Sequence, residues 1–237
     1  MYFSGQQDVF ENRRDAGRHL AAKLVEYENH GVVVLAIPNG GVPVGLEVAT
    51  VLKATFDLVI ARKIPIPLNP EAGFGAVADD GTTILNDELV KRLGLSSQQI
   101  SMQVSEVRAK IRQRSLLYHR ERPLISVTGK TVIITDDGLA SGFTMMAAAE
   151  SVRRRRPKEI VVAVPAASAN AVNQVEKLAD RVVACITTFT PRFAVADFYR
   201  YWYDLGDNEV IQQIREWRSR RFHPELHGEV TGSSGES

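Results

Sequence analysis

The residues best suited to chemistry lie in one short stretch, residues 132–144, which reads VIITDDGLASGFT. An apolar strand runs into two adjacent acids, Asp136 and Asp137, and then into a loop of small residues that opens a helix. Backbone N–H groups in such a loop and at a helix N-terminus bind anions, and the hydroxyl groups of Ser141 and Thr144 add donors. Two carboxylates would repel a phosphate, but they can accept hydrogen bonds from vicinal hydroxyl groups, with a divalent cation nearby. The stretch therefore predicts a site for a five-carbon sugar that carries a 5-phosphate.

This stretch resembles the motif with which type I phosphoribosyltransferases bind phosphoribosyl pyrophosphate (PRPP): an apolar strand, two acids, three residues, Thr-Gly, one residue and Thr. Here Ser141 stands in place of the usual first Thr and keeps its hydroxyl group. The resemblance implies that Asp136 and Asp137 bind the ribose hydroxyl groups and contact Mg²⁺ only indirectly, through Mg-PRPP. The 5-phosphate would then be bound by Gly138, Leu139, Ala140, Ser141, Gly142, Phe143 and Thr144. The alternative is an ordinary βα turn with acids at the carboxyl end of its strand.

Two further segments occur in the order that the resemblance requires. The loop Pro38-Asn39-Gly40-Gly41 follows the first core strand and corresponds to the family's pyrophosphate loop. Many relatives carry a basic residue just before the glycine pair, whereas this chain has Asn39. Arg62 and Lys63, after the second strand, resemble the basic pair that contacts pyrophosphate, and the alternative is a solvated strand end. The resemblance thus places Asn39, Gly40, Gly41, Arg62 and Lys63 around the pyrophosphate.

Residues 69–76 match the position of the family's flexible catalytic loop, which closes over PRPP and excludes water. The connection between residues 65 and 83 is long and rich in proline and glycine, with short β-like stretches around residues 75–78. Within it, Glu71 is either a general acid or base that acts on the acceptor, the nitrogenous base that receives the phosphoribosyl group in this family, or a charged residue on the loop surface.

The acceptor is normally selected by a hood built outside the core, here expected from residues 1–30 and 190–222. Enzymes of the family that act on 6-oxopurines have an Asp three residues after the acidic pair, where this chain has Ala140. The aromatic residues of the hood could stack on a base, although a satellite core or a dimer contact is the favoured interpretation. These residues are Phe193, Phe198, Tyr199, Tyr201 and Trp202. We interpret Asp207 more simply as a helix cap.

The elements that must position these residues alternate along the chain. Strands are predicted over residues 32–37, 56–61, 131–135, 160–164 and 182–186, and helices over residues 15–27, 42–52, 144–155, 169–179 and 208–218. Such alternation indicates βαβ units. Between residues 86 and 116, Asn86 and the pair Ser96 and Gln99 predict the starts of a short and a longer helix. The expected fold is α/β: a doubly wound, mostly parallel sheet flanked by helices, with a small hood from the terminal segments. We expect one domain over residues 1–222, with its core at about 32–190, and a disordered tail over residues 223–237.

Composition excludes several classes of protein. The 237 residues include 29 Lys and Arg against 28 Asp and Glu, a net charge of +1, which disfavours a dedicated nucleic-acid partner. The single cysteine, Cys185, indicates a reducing compartment. No apolar segment is long enough for a membrane helix, and the first residues lack the order of a signal peptide. We therefore expect a cytoplasmic protein.

The resemblance implies a Mg²⁺-dependent enzyme that transfers the phosphoribosyl group from PRPP to a nitrogenous base and releases pyrophosphate. It also implies a homodimer, since relatives often pair. The alternative is a regulator that senses PRPP without turnover. A third, weaker interpretation is a phosphate-binding domain for another sugar phosphate.

Overall fold

The computed structural model describes residues 9–67, 69–118, 125–190 and 192–222. Eight strands occur in these residues, in two sheets. In chain order they are β1 (Val33–Ala36), β2 (Thr55–Leu58), β3 (Ala61–Ile66), β4 (Asn69–Ala78), β5 (Thr83–Leu85), β6 (Thr131–Thr135), β7 (Glu159–Ser168) and β8 (Arg181–Thr188). The α-helices are α1 (Arg13–Ala22), α2 (Gly41–Val51), α3 (Asp87–Leu93), α4 (Ser97–Tyr118), α5 (Phe143–Arg154), α6 (Ala169–Val175) and α7 (Asp207–Phe222).

The larger sheet has the order β2-β1-β6-β7-β8, and all its strands are parallel. All four residues of β1 are buried, as expected for a strand covered by helices on both faces. The chain moves from β1 to β2 on one side and later returns to β6 on the other side of β1. The crevice beyond the carboxyl ends of β1 and β6 is therefore the topological switch point, where open α/β sheets bind their ligands. This architecture confirms the predicted fold class.

The smaller sheet, β3-β4-β5, is antiparallel and was not predicted. The expected strand over residues 56–61 is in fact two strands, because the chain leaves the large sheet after Leu58. Residues 69–76, expected as a loop, belong to the ten-residue strand β4. Gly73 and Gly75 permit this strand, because a Cβ at Gly73 would overlap the side chain of Lys63 and a Cβ at Gly75 would overlap the backbone oxygen of Ile84.

Helices α3 and α4 begin where the sequence predicts. The Asn86 side chain accepts from the N–H of Leu89 at 3.0 Å, and Ser96 and Gln99 bond reciprocally as a capping box. The sequence places apolar residues at helical spacing along α4, but only some of them reach the core. Val107 and Ile111 are buried and Val104 is partly buried, but Met102 and Leu116 are 55% and 73% exposed.

The segments expected to form a hood begin at the carboxyl edge of the large sheet, where Arg13 binds Asp137 and Asn39 binds Asp207. Helices α1 and α7 then run along one face of the sheet toward its opposite edge. Helix α1 packs against α2 and β7, and α7 packs against α2. The backbone of Phe10 bonds to Phe198 and Arg200, which ties the two terminal segments together. The division into core and hood stays a prediction, and the predicted tail over residues 223–237 lies outside the described residues. No helix in the described ranges has the length and apolar character needed to span a membrane.

Candidate functional site

The acidic pair follows β6 at the switch point. The backbone N–H of Asp137 donates to Asp136 Oδ1 at 2.8 Å, so the two residues form one compact unit. Although Asp136 keeps some access to solvent, protein atoms surround its carboxyl group. This burial, reinforced by the negative charge of Asp137, raises the pKa of Asp136 well above its usual value.

An arginine that the sequence analysis missed neutralises Asp137. Arg13 Nε lies 2.8 Å from Asp137 Oδ2, and its Nη1 donates to the backbone oxygen of Tyr203 at 2.9 Å. The guanidinium lies 3.8 Å from the ring centroid of Trp202, and the side chain is only 7% exposed. Arg13 thus anchors α1 to the acidic pair.

A sequence signal for this arginine does exist. Arg13 and Arg14 occupy the first turn of α1, where the helix dipole disfavours cations. Two arginines at that position indicate partners outside the helix. Arg14 also has one, because its Nη1 lies 3.3 Å from Glu47 Oε1.

The loop after the acidic pair is fixed by β7. Leu139 donates its N–H to Ala166 and accepts from the N–H of Ser168, both at 2.9 Å. The Ser168 hydroxyl donates to the backbone oxygen of Ala140 at 2.7 Å. Gly142 then adopts a φ of 84°, and α5 starts with no side-chain cap. The backbone N–H groups in the first turn of α5 thus face an anion-binding position.

The glycine pair lies directly against the acidic pair. A Cβ at Gly40 would overlap Asp137 Oδ2, and one at Gly41 would lie 2.8 Å from the backbone oxygen of Thr135. Only glycine therefore fits this close approach of two loops. A glycine pair could turn both of its N–H groups toward an anion, but the N–H of Gly41 donates to the backbone oxygen of Ile37 at 3.1 Å. The Gly40 N–H is the one left to face it.

The Asn39 side chain faces the hood. Its Nδ2 donates to the backbone oxygen of Leu205 at 2.6 Å and to Asp207 Oδ1 at 3.0 Å. The Tyr118 hydroxyl lies 2.8 Å from both Asn39 Oδ1 and Asp207 Oδ1 and can donate to either one. Asp207, interpreted from the sequence as a simple helix cap, instead uses its carboxylate to bind other elements.

Arg62 and Lys63 diverge because neighbouring residues of a strand point to opposite faces. Arg62 is half-buried, and burial together with the charge of Arg114 lowers its pKa, while Asp207 acts in the opposite direction. Lys63 is exposed, and its aliphatic chain lies next to Gly73. Only Arg62 is therefore directed toward the surroundings of Asn39.

The remaining predicted residues are placed as follows. Phe198 and Tyr199 are buried and cluster with Phe10, which agrees with the favoured satellite core. The Tyr199 hydroxyl also donates to the backbone oxygen of Asp137 at 2.6 Å. Tyr201 is 61% exposed. The backbone of Glu71 lies in β4, but its side chain is outside the described part of the structure, so its role stays a prediction.

Comparisons with known proteins agree with this geometry. A model of the phosphoribosyl transferase domain matches residues 6–198. Rv0571c, a Mycobacterium tuberculosis protein whose name assigns it provisionally to the phosphoribosyl transferases, is 37% identical over 203 residues. That match covers 86% of this chain and 46% of the relative. The chain thus spans about half the length of the curated relatives it matches.

A solved structure agrees as well. TT1426 from Thermus thermophilus is 34% identical, with a TM-score of 0.72 over 88% of this chain and 99% of that one. The similarity therefore extends well beyond the acidic motif, to the helices and strands that position it. The chain belongs to the phosphoribosyl transferase domain family, as the acidic motif predicted.

Proposed function

We propose that this chain binds PRPP and transfers its 5-phosphoribosyl group to a nitrogenous base, with release of pyrophosphate and with Mg²⁺ as cofactor. One observation carries the proposal: the acidic pair lies between the glycine loop and the uncapped start of α5. A ligand with hydroxyl groups in its middle and a phosphorylated group at each end matches this order. PRPP is such a ligand.

Each part of PRPP has a partner in the proposal. Asp136 and Asp137 accept hydrogen bonds from the ribose hydroxyl groups. The 5-phosphate binds the loop over residues 138–144 and the positive end of the α5 dipole, with the hydroxyl groups of Ser141 and Thr144 as further donors. The pyrophosphate group lies against Gly40 and Arg62. Among the described residues Arg62 has no hydrogen bond or ion pair, so its charge is available to an anion.

In the reaction, the acceptor nitrogen forms a bond to C1 of the ribose as the bond from C1 to the pyrophosphate oxygen breaks. The bonding electron pair leaves with pyrophosphate, and C1 passes through an oxocarbenium-like transition state. The chain contributes by holding the reactants in line and by placing the carboxylates of Asp136 and Asp137 near the developing positive charge. The ion pair with Arg13 fixes the orientation of Asp137.

The donor atoms at this site fit Mg²⁺. This ion prefers oxygen ligands and is usually bound by one or two carboxylates together with substrate phosphates. No cluster of three or more His, Cys, Asp or Glu that could hold a metal occurs in the ranges that the structure describes. Asp136 and Asp137 would therefore hold Mg²⁺ only together with PRPP, and the ion would neutralise charge on the leaving pyrophosphate.

The acceptor site is a cavity of about 710 Å³ beside the 5-phosphate loop. It is bordered by Ala140 and Ser141 and lined further by Asn170, Asn173 and Phe189. Phe189 is 87% exposed, so its ring is free to stack on a flat heterocycle. None of the described lining residues carries an ionisable side chain. We therefore expect a neutral base, read by amide and hydroxyl groups, rather than an acceptor that carries a carboxylate.

The test is pyrophosphate release from Mg-PRPP with a panel of neutral and carboxylated bases. We expect release with at least one neutral base, and a loss of about 100-fold or more in Asp137→Asn, which keeps the shape but removes the carboxylate that pairs with Arg13. Asp204→Asn is the matched control, because Asp204 is exposed and lies outside the site. Absence of release with every base would contradict transfer, and PRPP binding without release would indicate the sensing regulator.

A further inference from the structure

A second group of polar side chains joins the glycine loop to three other elements. We call Asn39, Arg62, Arg114, Tyr118 and Asp207 the Asp207 cluster. Arg114 Nη2 lies 3.2 Å from Asp207 Oδ1, the same oxygen that accepts from Asn39 at 3.0 Å. Residues from β3, from the last turns of α4 and from the start of α7 therefore meet at the residue that precedes Gly40.

The cluster holds more positive than negative charge. Arg62 and Arg114 share a single carboxylate, that of Asp207. The charge of Arg114 lowers the pKa of Arg62, which means that the two guanidinium groups are close enough to repel each other. A half-buried cation without an ion pair is unfavourable unless an anion arrives to compensate it.

Asp207 compensates Arg114 only in part. Burial alone would raise the pKa of Asp207, but the hydrogen bonds from Tyr118 and Asn39 and the charges of Arg114 and Arg62 lower it. Its carboxylate is thus ionised and shared among several donors. The contact with Arg114 is through one oxygen and one nitrogen rather than the stronger two-bond arrangement.

The location of the Asp207 cluster indicates which anion it binds. The cluster contacts the loop at Asn39, and the next residue, Gly40, lies against Asp137. The surplus charge is therefore on the glycine-loop side of the acidic pair, away from the 5-phosphate position at α5. A leaving group with several negative charges belongs on that side.

We propose that Arg114 is a second cationic residue of the pyrophosphate site, acting with Arg62, and that Asp207 holds it in place until the pyrophosphate group binds. This inference rests on the proposed function and adds to it a residue of α4 and a competing carboxylate. When pyrophosphate binds, Arg114 exchanges Asp207 for a phosphate oxygen. Nothing in the sequence pattern of α4 distinguishes Arg114 from the neighbouring arginines.

The test is a calorimetric comparison of three ligands: Mg-pyrophosphate, PRPP and ribose 5-phosphate. We expect Arg114→Gln to weaken the binding of the first two about tenfold or more and to leave ribose 5-phosphate unchanged. Arg112→Gln, on the exposed side of the same helix, removes the same charge and is expected to bind all three as wild type does. Arg114→Lys keeps the charge and is expected to bind pyrophosphate better than Arg114→Gln.

Asp207→Asn sharpens the test because it removes the competing charge and keeps an oxygen that can accept from Asn39 and Tyr118. If Asp207 competes for Arg114, this variant binds Mg-pyrophosphate about two- to fivefold more tightly than wild type. Weaker binding would overturn the inference, as would equal losses of ribose 5-phosphate and pyrophosphate in Arg114→Gln. A wild-type protein that binds neither PRPP nor pyrophosphate would overturn the proposed function as well. Unchanged pyrophosphate binding in Arg114→Gln alone would overturn only the role of Arg114.

Discussion

The two sides of the site are built in different ways. The side that faces the ribose and its 5-phosphate comes from one continuous stretch, residues 131–144, in which strand, acids, loop and helix start follow one another. The side that faces the pyrophosphate is assembled from distant parts of the chain. There Asn39 and Arg114 both bind Asp207, with Arg62 nearby, and Asn39 and Asp207 are 168 residues apart in sequence.

This difference shows which contacts the hood makes with each side of the site. Arg13 and Tyr199 reach the continuous side only at Asp137, through one ion pair and one hydrogen bond. The assembled side depends on the hood throughout, since Asn39 binds Leu205 and Asp207 directly. We therefore expect hood variants to affect the acidic pair through single contacts and the pyrophosphate side through a network.

The largest effect is expected where the hood meets the acidic pair. Arg13→Met leaves the partly buried Asp137, 15% exposed, beside Asp136 without its cation, which costs about 3 kcal/mol in the free energy of unfolding. Chemical denaturation measures this loss. Arg14→Met is the control, because Arg14 is 41% exposed and its ion pair with Glu47 contributes about 0–1 kcal/mol.

A double variant separates charge from packing. If the loss in Arg13→Met comes from the unpaired carboxylate, adding Asp137→Asn restores part of the stability. A double variant that is less stable than Arg13→Met would show that Arg13 acts through its packing on Trp202 instead.

The next effect is expected where the two sides touch. Gly40→Ala forces Asp137 or the glycine loop to move, and a displacement of about 1 Å at a reacting group can cost about 100-fold. Pyrophosphate release from Mg-PRPP should therefore slow to about that extent, and calorimetry should show weaker PRPP binding. Gly206→Ala is the matched control, since a Cβ there meets no atom within 4 Å. Wild-type affinity in Gly40→Ala would contradict the close approach of the two loops.

The smallest effect is expected for a single hydrogen bond to the continuous side. Tyr199→Phe removes the donor to the backbone oxygen of Asp137 and costs about 1 kcal/mol of stability. Thermal unfolding can detect this change. Tyr203→Phe also removes a hydroxyl group, but Tyr203 is 55% exposed and a change of at most about 0.5 kcal/mol is expected. Equal losses of stability in the two variants would mean that the hydrogen bond to Asp137 contributes no more than an exposed hydroxyl group does.

The parts of the structure that could be predicted from the sequence follow the same division between local and distant contacts. The parallel strands and the acidic loop were predictable because their patterns are local: continuous apolar runs, acids at a strand end and glycines before a helix. The sequence indicated β-like structure only around residues 75–78, and the rest of β4 was mistaken for a loop. Gly73 and Gly75 resemble turn residues until the packing of Lys63 and β5 is known. Asp207 resembled a helix cap, because its partners Asn39, Arg114 and Tyr118 come from other parts of the chain. Contacts between residues far apart in the chain produce no local pattern in the sequence.

The central claim is that the two sides together form one site for PRPP. A calorimetric titration of the wild-type protein with PRPP, with and without Mg²⁺, tests it most directly. We predict binding of one PRPP per chain that is strengthened by Mg²⁺ and is tighter than the binding of either ribose 5-phosphate or pyrophosphate alone. Absence of PRPP binding in the presence of Mg²⁺, or binding no tighter than that of ribose 5-phosphate, would contradict it.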